Sequence, residues 1–582
     1  MTFFLPKNYK INPDPIYFED KTDKIFQPHV YELAFFIKQR NPSIKYIIDI
    51  GCGSGEKLNI FTNDIHKIGI DIGTNLQLFK KNNPSNSSCI EINLEKGFPS
   101  INDKIIESSI VICANVIEHL NDPSILIKNL SIISKKAPIL LVSTPDRNIV
   151  YKEKNFGPPK NLSHVREWTL NELVKVFKAY SFNEFLSGHT INNNIDKIKS
   201  TSLIISGNLI STSIQTKNLK IAAIITCFNE KDIIGETTKY LINQGIDVFV
   251  IDNWSTDGSF ELIKKLQKKY RNLYLDRWPK YGPSKYFELN KLLKEVEKIA
   301  KSKNYDWYIH NDADEFRYSC WKNKNLKNSI EIVDKLGFNA IDFTVLDFRY
   351  TKNISDRKFS IKNYAYFEFG KRPGHFIQIK CWKKVKNLDL SSSGGHEAKF
   401  KDRKIFPFKF ITKHYSLRNR YQAKNKIKER LKRLSPEEIK KGWHTHIKLL
   451  KAPTKFNEKD LIKFDKNFYE DFIVERLSGI GVLNNDFFNK IKKLDNPNEL
   501  SKDTKNNNID ISKNEIVNLL SKIKNQNFQI QNLETQIKQL QDHAKNLETQ
   551  LNNIKSAKFF RLWQSYCKIR DKILEKINEN KK

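Results

Sequence analysis

The sequence predicts an α/β protein of two open, largely parallel sheets in series followed by a helical tail. Three observations predict it. Short apolar runs alternate with polar or amphipathic stretches from about residue 28 to 208, the alternation restarts near Leu219, and apolar heptads begin near residue 513. A strand covered by helices on both faces has no solvent side, so it reads as a continuous apolar run.

In the first unit the helical stretch YELAFFIKQR precedes KYIIDI, and KIGID, SCIEINL, SIVICAN and APILLVST follow as further buried strands. The second unit opens on KIAAIITCFNE and continues through DVFVIDN and DWYIHNDADEF. Residues 209–218, rich in Thr, Ser and Asn, are the expected linker. The expected boundaries are 1–208 and 219–455 for the two sheets, 456–512 for a helical extension and polar joint, 513–556 for a coiled coil and 557–582 for a basic amphipathic tail.

A chain of 582 residues exceeds what one hydrophobic core serves. Its 39% hydrophobic and 12% aromatic content excludes wholesale disorder. The formal charge of +34 raises nucleic acid or an anionic membrane as partners. The basic residues are spread rather than clustered, so no specific nucleic acid is expected, while an acidic lipid surface stays open. Seven cysteines at Cys52, Cys89, Cys113, Cys227, Cys320, Cys381 and Cys567 form no CxxC pair and read as reduced thiols. The N-terminal MTFFLPKNYK has an apolar stretch too short for a signal sequence, which gives a cytoplasmic expectation, peripheral on the inner membrane face if the tail meets lipid.

In the tail, Ile516, Ile523, Ile530, Ile537, Ala544 and Leu551 share one heptad position, and Leu519, Leu533, Leu540, Leu547 and Ile554 share the other. Gln526 is the one polar break. This seam predicts a coiled coil and hence a homodimer. The final AKFFRLWQSYCKIRDKILEKI joins aromatic to basic residues, as a helix on a membrane surface does, though packing on a neighbouring domain explains it equally.

Two motif sets carry chemistry. In IIDIGCGSGEKL, Asp49 is followed by Gly51, Gly53 and Gly55 at alternate positions where a strand turns into a helix. Such a turn needs glycine so that a ligand can approach the backbone. Asp71 ends the next strand, where a carboxylate accepts ribose hydroxyls; Asn93, then Asn115, Glu118 and His119, end later ones. As a set, DIGCGSG, Asp71, the NL pair and VIEHL followed by DP resemble class I S-adenosylmethionine-dependent methyltransferases, with a Rossmann-like fold, over about residues 25–208. The resemblance implies S-adenosylmethionine as cofactor, with Asp49, Gly51, Gly53 and Gly55 around the methionine part, Asp71 on the ribose, Asn93 on the adenine and Asn115 at the pocket edge. Family members usually have Asp where this chain has Asn93. His119 and His164 are the candidate bases or acceptor contacts, His164 with Arg166 and Trp168 beside it; His119 equally reads as a residue fixing the turn.

In the second unit, Thr226, Asn229 and Glu230 follow one strand, Asp252 and Asn253 end another, and Asp312 and Asp314 form a DxD at the end of a third. Two carboxylates so placed suit a divalent cation bridging a diphosphate. TCFNE, VIDNWSTDGS and DADEF together resemble GT-A glycosyltransferases of the family 2 type over about residues 219–420. The resemblance implies a nucleotide sugar held by Thr226, Asn229, Glu230, Asp252 and Arg277, with Lys285 a further phosphate contact. It also implies Mn or Mg on Asp312, Asp314 and a late histidine, taken as His414, and a glycan or lipid-linked acceptor. The acceptor base is open between Glu397 and Asp347. The expectation is thus a bifunctional enzyme of surface glycan synthesis; one domain serving only to position the other, or a basic coiled-coil binding protein, are the alternatives.

Overall fold

The computed structural model describes residues 3–15, 25–195, 197–351, 359–370, 373–437 and 456–482, with Ser565, Tyr566 and Arg570 in the tail. The heptads of 513–556, and with them the expected dimer, lie outside the described residues. The three tail residues are helical and exposed.

The first sheet is built from β1 (Tyr46–Ile50), β2 (His66–Asp71), β3 (Ser87–Glu91), β4 (Ser109–Ala114), β5 (Ile139–Pro145), β6 (Leu186–Thr190) and β7 (Thr201–Ser206). Its order is β3-β2-β1-β4-β5-β7-β6, parallel except for β7, which runs antiparallel to β5 and β6. Helices α1 (Pro28–Arg40), α2 (Thr74–Asn82), α3 (Asp103–Ile106), α4 (Ser124–Ser134), α5 (Arg147–Tyr151) and α6 (Leu170–Ala179) accompany it. The central strands are apolar throughout because both faces are covered: every residue of β4 and β5 is buried. The order reverses between β1 and β4, which opens a crevice at their carboxyl ends.

The second sheet repeats this logic with β8 (Ile221–Cys227), β9 (Asp247–Asp252), β10 (Leu273–Arg277) and β11 (Trp307–Asp312) in the order β10-β9-β8-β11. Antiparallel β16 (Cys381–Lys383) and β13 (Ala340–Ile341) extend its edge. A smaller sheet, β12-β17-β14-β15-β18, combines β12 (Glu315–Tyr318), β14 (Phe343–Phe348), β15 (Tyr366–Phe369), β17 (Phe410–His414) and β18 (Ile462–Lys463). Helices α7 (Ile234–Asn243), α8 (Ser259–Gln267), α9 (Leu289–Ser302), α10 (Leu326–Lys335), α11 (Pro373–Phe376) and α12 (Arg420–Lys432) complete this half.

The boundaries expected from sequence need two corrections. Residues 456–482 are no extension: β18 pairs with β15, and the helices Phe468–Asp471 and Ile473–Ser478 wedge between the two halves, where Glu470 O blocks any side chain at Gly188 of β6. Residues 209–218 are no loose tether either. Ile210 is 1% exposed with its carbonyl bonded by Trp321 Nε1 at 3.1 Å, and Ser211, Thr212 and Ser213 wrap the Glu184 carboxylate. Local polarity suggested a joint, but these hydroxyls and amides serve one half-buried carboxylate.

The halves share one apolar cluster, which runs from Val30, Ile37, Leu203 and Ile205 to Ile221, Ile225, Phe343 and Phe410. At its rim Asp342 of the second half, wholly buried, pairs with Arg40 of α1 at 2.7 Å and with Lys409 at 2.6 Å. Burial alone would raise the Asp342 pKa, but Lys409 and Arg40 hold it down at about 2. Asp342→Ala leaves two buried cations short of a counter-charge and is expected to cost about 3–5 kcal/mol in denaturant unfolding. The sign of the pH dependence follows from the lowered pKa. The contribution is full above an unfolded carboxylate pKa of about 4, is lost as pH falls towards 2, and is absent in Asp342→Ala.

Candidate functional sites

At the carboxyl edge of the first sheet, Gly51, Gly53 and Gly55 all have positive φ, and a Cβ on Gly51 would meet Val116 Cγ2 at 2.3 Å. The loop is therefore tight at this point for a packing reason as well as a conformational one. Asp71 ends β2 beside it and accepts from Gly53 N at 2.8 Å, Ile72 N at 2.7 Å and Asn75 Nδ2 at 3.1 Å. Asp49 is 1% exposed, with the Tyr31 hydroxyl 3.3 and 3.2 Å from its two oxygens. A Gly-only turn with a carboxylate at the next strand end fits a ribose-bearing donor. Asn93 is exposed after β3, its Oδ1 accepting from Glu95 N at 2.9 Å.

Asn115, left-handed at φ 56° after β4, accepts from Gln27 Nε2, and Gln27 in turn accepts from Ser143 Oγ. Gln27, buried and also left-handed, was not legible in the sequence as a site residue, because only the fold brings the start of α1 against the ends of β4 and β5.

Beyond Asn115 lie Glu118, His119 and His164. Glu118 is wholly buried, and neither carboxylate oxygen has a hydrogen-bond partner; the Thr144 hydroxyl faces it without reaching hydrogen-bond geometry. Burial pushes the Glu118 pKa up to about 7, against the pull of the His164 ring. His119 Nδ1 meets Ser163 O at 2.7 Å, His164 Nδ1 meets Glu167 Oε1 at 2.7 Å, and the two rings stand edge to face at 4.8 Å. Burial holds the His119 pKa down at about 4, so the ring is neutral at pH 7. The expectation for Trp168 fails: it is fully buried, with Nε1 on Phe3 O at 3.0 Å, and belongs to the core. Arg166 is likewise spent on the carbonyls of Leu120 and Asn121, at 3.2 and 2.7 Å.

In the second half, Thr226 lies near the end of β8 and Asp252 ends β9. Asp252 is 1% exposed; Oδ2 accepts from Ser255 N at 3.1 Å while Oδ1 has no partner. Burial raises its pKa. An unsatisfied buried acceptor at a strand end suits a nucleobase N–H. Asn229, at φ 53°, ties the two strand ends together by donating from its N–H to Ser255 Oγ and accepting at Oδ1 from Thr256 N. Arg277 lies over Phe260 at 3.7 Å and Trp254 at 4.7 Å, with Nε 3.6 Å from Asp252. That places it beside the buried Asp252 carboxylate at the end of β9. It also lines a cavity of about 280 Å³ with Trp278, Tyr281 and Lys298.

The DxD carboxylates differ. Asp312 has a side chain 42% exposed and meets Lys380 Nζ at 2.8 Å; Asp314 is buried, 2.7 Å from Lys426 Nζ and 3.6 Å from His414 Nε2. Burial would raise both carboxyls, yet Lys380 for Asp312 and Lys426 for Asp314 hold them well below the ordinary range. Asp314 and the His414 imidazole stand beside each other with Asp312 at the same strand end, oxygen and nitrogen donors of the kind that suit Mn or Mg, and both carboxylates are now held by largely buried lysines. Glu230 is corrected as a sugar-nucleotide contact: it is buried on Arg418 and lies 2.7 Å from Lys426 Nζ. Arg418, fully buried, also meets Asp232 at 2.7 Å.

Both candidate bases are held in ion pairs. Asp347 is buried, 2.6 Å from His414 Nδ1 and 3.0 Å from Arg349 Nη2, which places it against the His414 ring. Glu397 is paired with Arg403 at 2.7 Å. Its neighbour His396 lies, like His310, within electrostatic reach of Asp312 and Lys380, and burial lowers its pKa to about 4. Sequence gave no reason to choose between adjacent residues of a Gly-flanked loop.

Residues 26–189 match the family model of the methyltransferase domain, and residues 222–293 match that of glycosyl transferase family 2. The chain joins an S-adenosylmethionine-dependent methyltransferase domain to a family 2 glycosyltransferase domain. Among solved structures it is similar to the methyltransferase domain of bacterial CtHen1-CN, at 20% identity and TM-score 0.23 over 31% of this chain and 98% of that one. It is similar also to a SAM-dependent methyltransferase from Aquifex aeolicus, at 13% identity and TM-score 0.24 over 32% and 93%. A third similarity is to the mannosyltransferase PcManGT from Pyrobaculum calidifontis, in complex with GDP-Man and Mn2+, at 15% identity and TM-score 0.18 over 22% and 38%. No curated protein matches the chain.

Burial alone would lower the His414 pKa, but Asp347 and Asp314 carry it above the ordinary value. Asp347→Asn removes the charge that orients the ring and is expected to weaken Mn2+ binding about 10–100-fold, read by electron paramagnetic resonance titration of the free ion.

Proposed function

We propose that the chain is a bifunctional enzyme of glycan synthesis, transferring a methyl group from S-adenosylmethionine and a sugar from a nucleoside-diphosphate donor. The observation that carries this is the pair of donor sites in one compact unit, each at the point where the strand order of its sheet reverses.

In the first site the Gly51 to Gly55 loop lets the backbone approach the methyl donor, and Asp71 accepts from its ribose. The donor supplies a sulfonium methyl when bound, and the protein's part is to hold an acceptor atom in line with it. In the second site Asp252 offers its unpartnered oxygen to the nucleobase. Asp312, Asp314 and His414 hold the cation, which when bound neutralises the diphosphate leaving group. A glycan or lipid-linked acceptor approaches on the side of the Ser391–Glu397 loop, with His396 rather than Glu397 facing the DxD. A peripheral position at the inner membrane face agrees with the basic tail and with lipid-linked acceptors.

Purified protein with Mn2+ and a panel of nucleotide sugars is expected to release nucleoside diphosphate. Asp312→Ala combined with Asp314→Ala should reduce release at least about 100-fold, and undiminished release would remove sugar transfer. In calorimetric titration, Asp71→Ala should weaken S-adenosylmethionine binding by about 1.5–3 kcal/mol, the worth of hydrogen bonds to a charged group.

A further inference from the structure

The basic helix beside the second donor site carries more charge than that site uses. In α12 six basic residues and one acid stand among thirteen, RYQAKNKIKERLK. Its inner face is committed: Ala423 and Ile427 are buried, and Lys426 Nζ lies 2.7 Å from both Asp314 and Glu230. Its outer face is open among the described residues. Arg420, Tyr421, Lys424, Lys428, Leu431 and Lys432 are all exposed, and positions 421, 424, 428 and 431 follow one another at intervals of three and four, which makes one stripe along the helix.

Two features set this face apart from ordinary solvated lysine. The first is that no free acid balances it. The other long helices of this half mix signs: α7 carries Glu236, α8 Glu261, α9 Glu295 and Glu297, and α10 Glu331 and Asp334. On α12 the single acid, Glu429, is held by Lys432 at 2.8 Å. The second is that large apolar tips stand among the charges. Tyr421 is 72% exposed and Leu431 41%. The segment tied to the end of α12 by Phe287 N on Arg433 O, at 2.7 Å, adds a fully exposed Tyr281 with Lys280 and Lys285. A soluble polyanion would satisfy the lysines alone. The interfacial zone of a bilayer also takes tyrosine rings and leucine side chains out of water, while lysine stems reach to the headgroup phosphates.

We propose that the outer face of α12 docks the protein on the surface of an anionic bilayer, with phospholipid phosphates as the partners of Arg420, Lys424 and Lys428. A cluster of about four or more Lys and Arg on one helix is what such a surface holds. This contact is separate in sequence from the basic tail. The inner face of the same helix meets Asp314 of the DxD, and Arg433 just past its end bonds Asn253 Oδ1 at 2.7 Å. Docking through α12 thus leaves the donor crevice about 10 Å, one helix diameter, from the headgroups and within reach of an acceptor carried on a lipid. That consequence rests on the sugar-transfer reading; the docking itself does not.

The test uses the full chain and needs no nucleotide sugar. Sedimentation with phosphatidylcholine vesicles, and with the same vesicles carrying phosphatidylglycerol, is expected to show binding to the second kind only, weakening as salt rises from about 0.05 to 0.3 M. Arg420→Gln, Lys424→Gln and Lys428→Gln combined should lower the affinity at least about tenfold with circular dichroism unchanged. Tyr421→Ser with Leu431→Ser should lower it at least about threefold with every charge kept. In hydrogen exchange, the amides of residues 420–432 should slow when anionic vesicles are added. No binding to anionic vesicles overturns the proposal. Binding untouched by the charge variant, or slowed exchange confined to residues 498–582, gives the contact to the tail and overturns it as well. Binding unchanged by the Tyr421 and Leu431 substitutions makes the partner a polyanion such as a nucleic acid, and is equally fatal. Release of nucleoside diphosphate by the charge variant without vesicles reports separately on the sugar-transfer reading.

Discussion

The buried pairing of Asp342 with Arg40 and Lys409 sits where the two halves of the molecule meet, and the rest of the arrangement depends on it. Burying a carboxylate is tolerable only with counter-charges in place, and these come from α1 of the methyltransferase domain and from the strand-edge segment of the glycosyltransferase domain. One apolar cluster around it runs through both halves, while each half keeps a core of its own on the other side of its sheet. Residues 456–482 act in the same region: Lys199 of the first half pairs with Glu475 of the last described helix, and Lys199 Nζ meets Asp471 O at 2.6 Å.

Through this interface the two folds form one compact unit among the described residues up to 482. A tether would allow each enzyme to find its substrate independently. A shared core fixes the spacing of the two strand-end crevices. The second sheet of the glycosyltransferase half is the supporting layer: β17 delivers His414 to Asp314, and β14 delivers Asp347 to His414.

Charge organises the glycosyltransferase site more than apolar packing does. Arg418 gathers Glu230, Asp232 and Asp314, while Lys426 of α12 bridges Glu230 and Asp314. A basic helix thus reaches over the Asp314 carboxylate, and Arg433 at its end bonds Asn253 Oδ1 at 2.7 Å while lying over Phe228 at 4.0 Å. Of the basic residues between 418 and 433, Arg418, Lys426 and Arg433 are directed inward, while the others stay at the surface.

The sequence by itself determined the two α/β units and which glycines and carboxylates stand at their strand ends. Buried parallel strands, glycine turns and strand-end carboxylates are local patterns whose spacing survives without knowledge of the partner strands, as with Gly51, Asp71, Asp252 and Asp312. Only the tertiary structure decided the roles of groups whose partners lie far along the chain. Glu397 and Asp347 were indistinguishable from bases until Arg403 and His414 were placed beside them; Gln27 and His396 were invisible until helix and loop were packed against strand ends. Glu118, His119 and His164 became a cluster only when the loop after β5 folded back onto the end of β4. A carboxylate or imidazole takes its function from the charge and burial around it, and that environment is set by contacts between residues distant in sequence.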